Sequence, residues 1–273
     1  MEIYYFAVFI LGTVVGSFLN VVILRYNTGE SILFPESRCF SCGKKLRWFE
    51  LIPILSFLLQ KGRCLRCKSK ISRQYPITEL LTGLTFFAIF WKFYPSIESV
   101  IFYWTVASFL IVISVYDFRH QIIPNGLVYF LIFLSLFPVF FSAGGGNWSF
   151  FGNWKFEIGN SGLLSRLLAG VVFGGFFVSL WLASKGRWMG LGDAKLALGI
   201  GWLLGFPAGI IAVLFSFWLG AIVGVFLLLF LPKKFTLKSR IPFGPFLCLG
   251  TMVDILFYGD IIKIYFYFLN LWT

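Results

Sequence analysis

Two groups of residues in this sequence have types and spacings that do chemistry. The first is a set of four cysteines, Cys39-Phe-Ser-Cys42 and Cys64-Leu-Arg-Cys67, with 21 residues between the pairs. A CxxC turn places two thiolates on one metal ion. Two such turns complete a tetrahedral site whose usual occupant is zinc. With Cys39, Cys42, Cys64 and Cys67 filling every position, the zinc is structural, a staple for a segment too short to build its own core. Lys44, Lys45, Lys61, Arg63, Arg66 and Lys68 flank the ligands and offset the negative charge of four thiolates. A redox pair of CxxC motifs is the alternative. Cys248 stands alone in an apolar run and reads as a buried, inert thiol.

The second group is a pair of acids. Asp193 lies in Gly190-Leu191-Gly192-Asp193-Ala194-Lys195-Leu196, between two long apolar runs. Asp117 begins Asp117-Phe-Arg-His-Gln-Ile-Ile-Pro-Asn125, at the end of another apolar run. An ionised carboxylate beside hydrocarbon loses its hydration and needs a reason to be there. Singly, Asp193 reads as a helix N-cap and Asp117 as an interfacial charge paired with Arg119. As a pair they read differently. The chain has only 11 acidic residues, and these two flank helix breaks at the same end of the apolar runs. Two carboxylates in one site do not both ionise easily, so one keeps its proton. That is the condition for aspartyl proteolysis: the ionised acid takes a proton from water, and the neutral one protonates the carbonyl oxygen. Gly190 and Gly192 let the backbone approach a peptide and are the candidate substrate-binding residues. Lys195, two residues from Asp193, is expected on another helix face, its amine reaching lipid headgroups. His120, the only histidine, is expected to be solvated at the interface. Sequences for Ser/His/Asp, HExxH or phosphate-loop chemistry are lacking.

The elements that position these residues are membrane spans. The chain is 59% hydrophobic and 12% charged, with a mean hydropathy of +0.89. Soluble domains carry roughly 25% charged residues, so this is an all-α polytopic membrane protein. Spans of about 20 apolar residues fall near 3–24, 77–94, 98–116, 125–141, 163–183, 194–206, 208–231 and 243–259, about eight in all. The first has no basic n-region or A-x-A site and is expected to be retained. The domains are therefore a first span at 1–25, a cytoplasmic four-cysteine zinc-knuckle domain at 26–76, and a transmembrane protease bundle at 77–273. All of the 23 lysines and arginines except Lys92, Lys155, Arg166 and Lys263 fall on one side of this arrangement. The positive-inside rule makes that side cytoplasmic and the N-terminus external. The net charge of +12 thus reports topology, and no nucleic-acid partner is expected. Loop 142–162, rich in Gly and Asn and holding Trp148, Phe150, Phe151 and Trp154, is expected outside.

Small residues recur at four-residue spacing: Gly12/Gly16, Gly170/Gly174, Gly201/Gly205/Gly209 and Gly220/Gly224. This lets helix backbones approach closely in lipid and predicts a compact bundle. Two readings compete with proteolysis. A transporter would use intramembrane acids for protons or cations, and would place them nearer midplane within a repeat. A non-enzymatic assembly factor would dispense with both aspartates.

In combination these motifs resemble the type IV prepilin peptidases. Gly190-Leu191-Gly192-Asp193 is similar to the GxGD motif of intramembrane aspartyl proteases, and Asp117 with Ile123-Pro124-Asn125 resembles that family's partner motif. Gly16-Ser17-Phe18-Leu19-Asn20-Val21-Val22-Ile23-Leu24-Arg25 looks like its first span. Trp48 with Leu51-Ile52-Pro53, both CxxC pairs and Arg73-Gln74-Tyr75-Pro76-Ile77-Thr78-Glu79 look like its cytoplasmic domain, and Pro242-Phe243-Gly244-Pro245-Phe246 like its last span. The resemblance implies a bifunctional enzyme of the bacterial cytoplasmic (inner) membrane. It would cleave the basic leader from type IV prepilins and secretion pseudopilins after a glycine, on the cytoplasmic side. It would then N-methylate the new N-terminus with S-adenosylmethionine. By resemblance, Asn20, Arg25 and Glu79 are the candidate residues near the methyl donor or the substrate terminus. Anionic headgroups, or Glu30, Glu36 and Glu50, are the candidate counter-charges for a basic leader.

Overall fold

A computed structural model of the chain describes residues 2–32, 34, 36–143, 162–231, 236, 239 and 241–270. Most of the expected external loop, with its four aromatic residues, lies outside the described residues, as do Lys233, Lys234, Lys238 and Arg240. The described residues form nine α-helices and no strand beyond two isolated bridges. The helices are α1 (Glu2–Arg25), α2 (Leu55–Leu59), α3 (Gln74–Phe93), α4 (Ile97–His120), α5 (Asn125–Ala143), α6 (Gly162–Ser184), α7 (Leu191–Leu204), α8 (Ala208–Phe230) and α9 (Gly244–Asn270). All except the short α2 coincide with the eight expected spans. Five segments are long and apolar enough to cross a membrane by themselves: α1 from Ile3, α4, α6 from Leu163, α8, and Gly244–Ile261 of α9. This is a multi-pass membrane protein. The chain divides within α4 into two compact units, Met1–Val115 and Tyr116–Thr273.

In the first unit α1 packs on α3. The small residues make this contact, because a Cβ on Gly12 would lie 2.8 Å from the Gly83 Cα, and one on Gly16 2.8 Å from the Glu79 Cα. Helix α4 leans on α3 through Trp104, which stacks on Phe86 at 4.8 Å and donates its indole N–H to the Phe86 carbonyl at 3.0 Å. The segment between α1 and α3 carries the cysteines. It is locked by Glu50, whose buried carboxylate accepts Lys44 Nζ at 3.0 and 3.1 Å and the Arg47 N–H at 2.9 Å. That backbone donor, helped by the Lys44 ammonium, holds the Glu50 carboxyl below the usual carboxylate range. Glu30 pairs with Arg38 and Glu36 with Lys45. The three glutamates expected as counter-charges for a leader are thus engaged inside their own segment.

In the second unit α7 is the hub, packed on α5, α6, α8 and α9. Its contacts again run through glycines. A Cβ on Gly201 would meet the Gly170 Cα of α6 at 2.6 Å, and one on Gly199 would meet the Ile132 Cγ1 of α5 at 3.2 Å. Gly224 has nothing within 4 Å, so the packing role read from its spacing is not realised there. Helix α7 has 14 residues and rises about 21 Å, less than the roughly 30 Å hydrocarbon thickness. A helix this short reaches both surfaces only with help, and its neighbours cover it along its length.

Candidate active site and metal centre

Asp117 and Asp193 both belong to the second unit, and both are buried, with 4% and 7% of their surface exposed. Asp117 sits in the last turn of α4. The backbone N–H of Gly244, the first residue of α9, is directed at its carboxylate, which puts the acid at a helix N-terminus. Asp193 sits in the first turn of α7, also at a helix N-terminus. It is not the N-cap that a single-residue reading suggests. Gly190 holds that position, and Asp193 reaches back so that Oδ2 accepts the Gly190 N–H at 3.1 Å. This is one arm of a capping box. Its other oxygen, Oδ1, is buried without a hydrogen-bond partner. The two carboxylates lie close enough to feel each other's charge.

Ile123 holds this arrangement together. A Cβ on Gly192 would lie 2.8 Å from the Ile123 Cβ, and one on Gly244 would lie 3.2 Å from the Ile123 Cδ1 and 2.5 Å from Asp117 Oδ2. The turn between α4 and α5 is therefore wedged against the first residues of both α7 and α9. Gly192 gives its space to this wedge, whereas beside Gly190 only Asp193 Oδ2 and the Gly192 N–H approach a virtual Cβ, at 3.7 and 3.8 Å. Lys195 has partners within the protein. Its ammonium donates to Asn125 Oδ1 at 3.0 Å and to the Tyr129 hydroxyl at 3.1 Å, over the Tyr129 ring. His120 is exposed and packs on Tyr116 at 4.5 Å.

In the first unit the sulfurs of Cys39, Cys42, Cys64 and Cys67 all lie within 4.8 Å of one another. Four sulfurs at about 2.3 Å from a tetrahedral zinc stand about 3.8 Å apart, and Cys39 and Cys67 are at 3.9 Å. The donors fit. The two knuckles are copies offset by 25 positions. Arg38 bridges Lys45 as Arg63 bridges Lys70. The Cys39 N–H donates to the Lys44 carbonyl and the Cys64 N–H to that of Ser69, both at 2.9 Å. Gly43 and Lys68 each adopt a positive φ, at 67° and 59°. Backbone donors surround the sulfurs. The Cys42 N–H, with help from Ser41 and Ser69, brings Cys39 down to about 6. At Cys42 the Lys44 N–H is outweighed by desolvation and by the neighbouring Cys39 and Cys67, which push it up to about 11. Four clustered thiols do not all ionise unaided, and a divalent cation resolves the conflict. The Ser69 hydroxyl lies 3.0 Å from Cys67 Sγ, a second-layer contact of the kind that orients ligands.

Asn20 of α1 and Glu79 of α3 are both buried in the same unit. Asn20 Nδ2 donates to the Gly16 and Tyr75 carbonyls at 3.2 Å, while its Oδ1 is buried without a partner. Glu79 Oε2 accepts the Ile54 N–H at 2.7 Å and its carboxylate also engages Ser17. Ile54 has φ +60°, a strained value for a β-branched residue, so Glu79 pins a strained peptide. Arg25 turns elsewhere, donating to the Ser31 carbonyl at 2.9 Å and pairing with Glu30.

Comparison with known proteins decides the family. Residues 10–93 match the Bacterial Peptidase A24 N-terminal domain, and residues 104–225 match the Type IV leader peptidase family. The prepilin leader peptidase/N-methyltransferase of Bacillus subtilis is 34% identical over 94% of this chain and 96% of its own length. The protein of that name from Pseudomonas putida is 30% identical, over 92% of this chain and 89% of its own. That of Pseudomonas aeruginosa is 29% identical, over 95% and 92%. No solved structure matches. The chain belongs to the type IV leader peptidase family.

Reading the sequence alone missed several residues that pack around the two acids. Ile123 and Gly244 appeared only as parts of motifs, and their contact has no signature in either segment alone. The knuckle repeat was legible: Arg-Cys-x-x-Cys-x-x-Lys occurs at 38–45 and again at 63–70. So was Asp254, the one acid inside the span expected at 243–259. It is fully buried in α9, with neither carboxylate oxygen hydrogen-bonded.

Proposed function

We propose that this enzyme cleaves the basic leader from type IV prepilins and pseudopilins through the Asp117/Asp193 pair. It then N-methylates the exposed terminus. The observation that carries the reading is the convergence of two buried carboxylates at the ends of α4 and α7 around Ile123, in a chain of this family. One carboxylate takes a proton from water, and the water oxygen attacks the scissile carbonyl carbon. The partner acid protonates the carbonyl oxygen. Collapse breaks the C–N bond, and the amine departs with a proton from the pair. The protons belong to the pair rather than to either residue. Gly190, with open space beside it, lines the peptide's approach.

The excess of basic residues on one side of the spans supports an external N-terminus and a site facing the cytoplasm of a bacterial inner membrane. Cys39, Cys42, Cys64 and Cys67 hold a structural zinc. S-adenosylmethionine, when bound, supplies the methyl group. Asn20, with an orphaned acceptor, and Glu79 are the residues of the first unit suited to hold its amino group or the substrate's new N-terminus. Arg25, committed to residues 30–32, supports that segment instead.

The test uses the purified full-length chain in detergent with a prepilin and labelled S-adenosylmethionine. Wild type should release the leader and label the mature terminus, and Asp117→Asn and Asp193→Asn should each abolish cleavage. Retained cleavage in either variant would sink the pair mechanism, and an unlabelled product would remove the second activity.

A further inference from the structure

Lys195 lies two residues beyond Asp193, and nothing in the proposed chemistry uses it. Its environment is unusual for a lysine at a membrane border. Among the described residues no carboxylate lies within ion-pairing distance of its ammonium. Its partners are neutral: Asn125 Oδ1 at 3.0 Å and the Tyr129 hydroxyl at 3.1 Å, with the Tyr129 ring face at 5.1 Å. Both partners lie on α5, one turn apart. Gly199, one turn beyond Lys195 on α7, packs against Ile132 of α5. Lys195 and Gly199 thus form a continuous α7 face seated on Asn125, Tyr129 and Ile132.

The position of Asn125 gives this contact its meaning. It is the first residue of α5, two after Ile123 and eight after Asp117. The corner that carries Asp117 is held at three points. Asp117 receives the Gly244 N–H, Ile123 is wedged between Gly192 and Gly244, and Asn125 is tied to Lys195. Two of the three ties run to α7, one on either side of Asp193. We propose that Lys195 is a positioning residue of the peptidase. Its clasp on Asn125 and Tyr129 fixes the α4–α5 corner against the start of α7, and so sets the separation of Asp117 from Asp193. A charged donor with two fixed acceptors suits this task, because charge-assisted bonds are shorter and stronger than neutral ones. A geometric clasp acts on the reacting groups without touching substrate, so it governs kcat and leaves KM nearly unchanged.

The inference rests on the peptidase reading, and its test separates the two. In the prepilin assay, normalised to folded protein in the monodisperse fraction, Lys195→Met should lower kcat roughly tenfold or more, with KM within about twofold. Tyr129→Phe, which removes one bond and keeps the ring, should lower kcat by a smaller factor, roughly threefold. The double variant should be no worse than Lys195→Met, since both act through one clasp. Lys195→Arg should recover part of the loss. A second readout does not depend on activity. Ile123→Cys places a single thiol at the wedge, a position only 9% exposed. Its alkylation, located by peptide mapping, should run several-fold faster when Lys195→Met is added. An unchanged kcat in Lys195→Met, with Asp193→Asn inactive, overturns the positioning role and leaves the peptidase intact. If wild type does not cleave, the peptidase reading fails and the alkylation rate at Ile123→Cys decides the clasp, an unchanged rate overturning it.

Discussion

Replacing Gly244 by alanine puts the proposed active site under a single, calculable load. The added Cβ would stand 2.5 Å from Asp117 Oδ2 and 3.2 Å from the Ile123 Cδ1. Carbon and oxygen do not stay so close, so the carboxylate must retreat by about half an ångström or more. Misplacing a reacting group by about 1 Å can cost a hundredfold in rate, so the expected loss in kcat is roughly tenfold, near 1.4 kcal/mol of activation free energy. Other consequences of the substitution are small. Alanine keeps the backbone N–H directed at Asp117, and it is a better helix former than glycine by up to about 1 kcal/mol. The variant should therefore melt within a few degrees of wild type in detergent while cutting prepilin slowly. A companion variant isolates the cause. Gly192→Ala collides with the Ile123 Cβ at 2.8 Å, so Ile123→Gly, which removes that atom, should relieve Gly192→Ala. The same shortening should not rescue Gly244→Ala, whose closest collision is with Asp117 itself. Wild-type kcat in Gly244→Ala would refute the placement of Asp117 in the reacting pair. Rescue of Gly244→Ala by Ile123→Gly would show that the wedge is the sensitive part and the carboxylate contact is not.

Two further outcomes follow from groups away from the pair. Asp254→Val removes a fully buried carboxylate with no hydrogen-bond partner and should stabilise the protein by about 1–3 kcal/mol, read as a higher melting temperature with cleavage retained; a lower melting temperature would mean that Asp254 has a partner in the membrane. Zinc analysis under reducing purification should return about one ion per chain, and Cys64→Ser, which removes the most buried of the four ligands, should lose it and expose the segment 26–73 to trypsin; an unchanged digestion pattern would show that the segment does not depend on metal.

How much of this was legible in the sequence depends on how local each signal is. The eight long helices were legible because apolar runs of spanning length have few alternative explanations, and α1 and α3 to α9 lie where the runs are. The four cysteines were legible because a CxxC turn is complete within four residues. The two aspartates stood out as charges beside hydrocarbon. What was not legible was the partner that several charged side chains take. Lys195 was assigned to headgroups because its spacing from Asp193 puts it on another helix face, and its acceptors lie 66 and 70 positions away. Glu30, Glu36 and Glu50 looked like free charges in a basic loop. Each is consumed by a cation within that loop, because an arginine or lysine is never far in so basic a segment. Asp193 was read as a possible cap because aspartate favours that position, yet the glycine three residues earlier took it and left the carboxylate to turn back.

That exchange of positions bears on why acids can work here at all. A carboxylate in hydrocarbon needs donors, and the least flexible donors in a membrane bundle are the unpaired N–H groups at helix N-termini. Asp193 uses the start of α7 through Gly190, and Asp117 uses the start of α9 through Gly244. Both starts are glycines, which bring the backbone within reach where a side chain would block it. Asp254 shows the contrast. It lies mid-helix in α9, where the nearby N–H groups are committed to the helix, and among the described residues neither of its oxygens is hydrogen-bonded. Among the described residues three acids are buried in this unit, and the two at helix starts have backbone donors to hold a charge. The separation between those two is therefore what the Ile123 wedge and the Lys195 clasp have to hold.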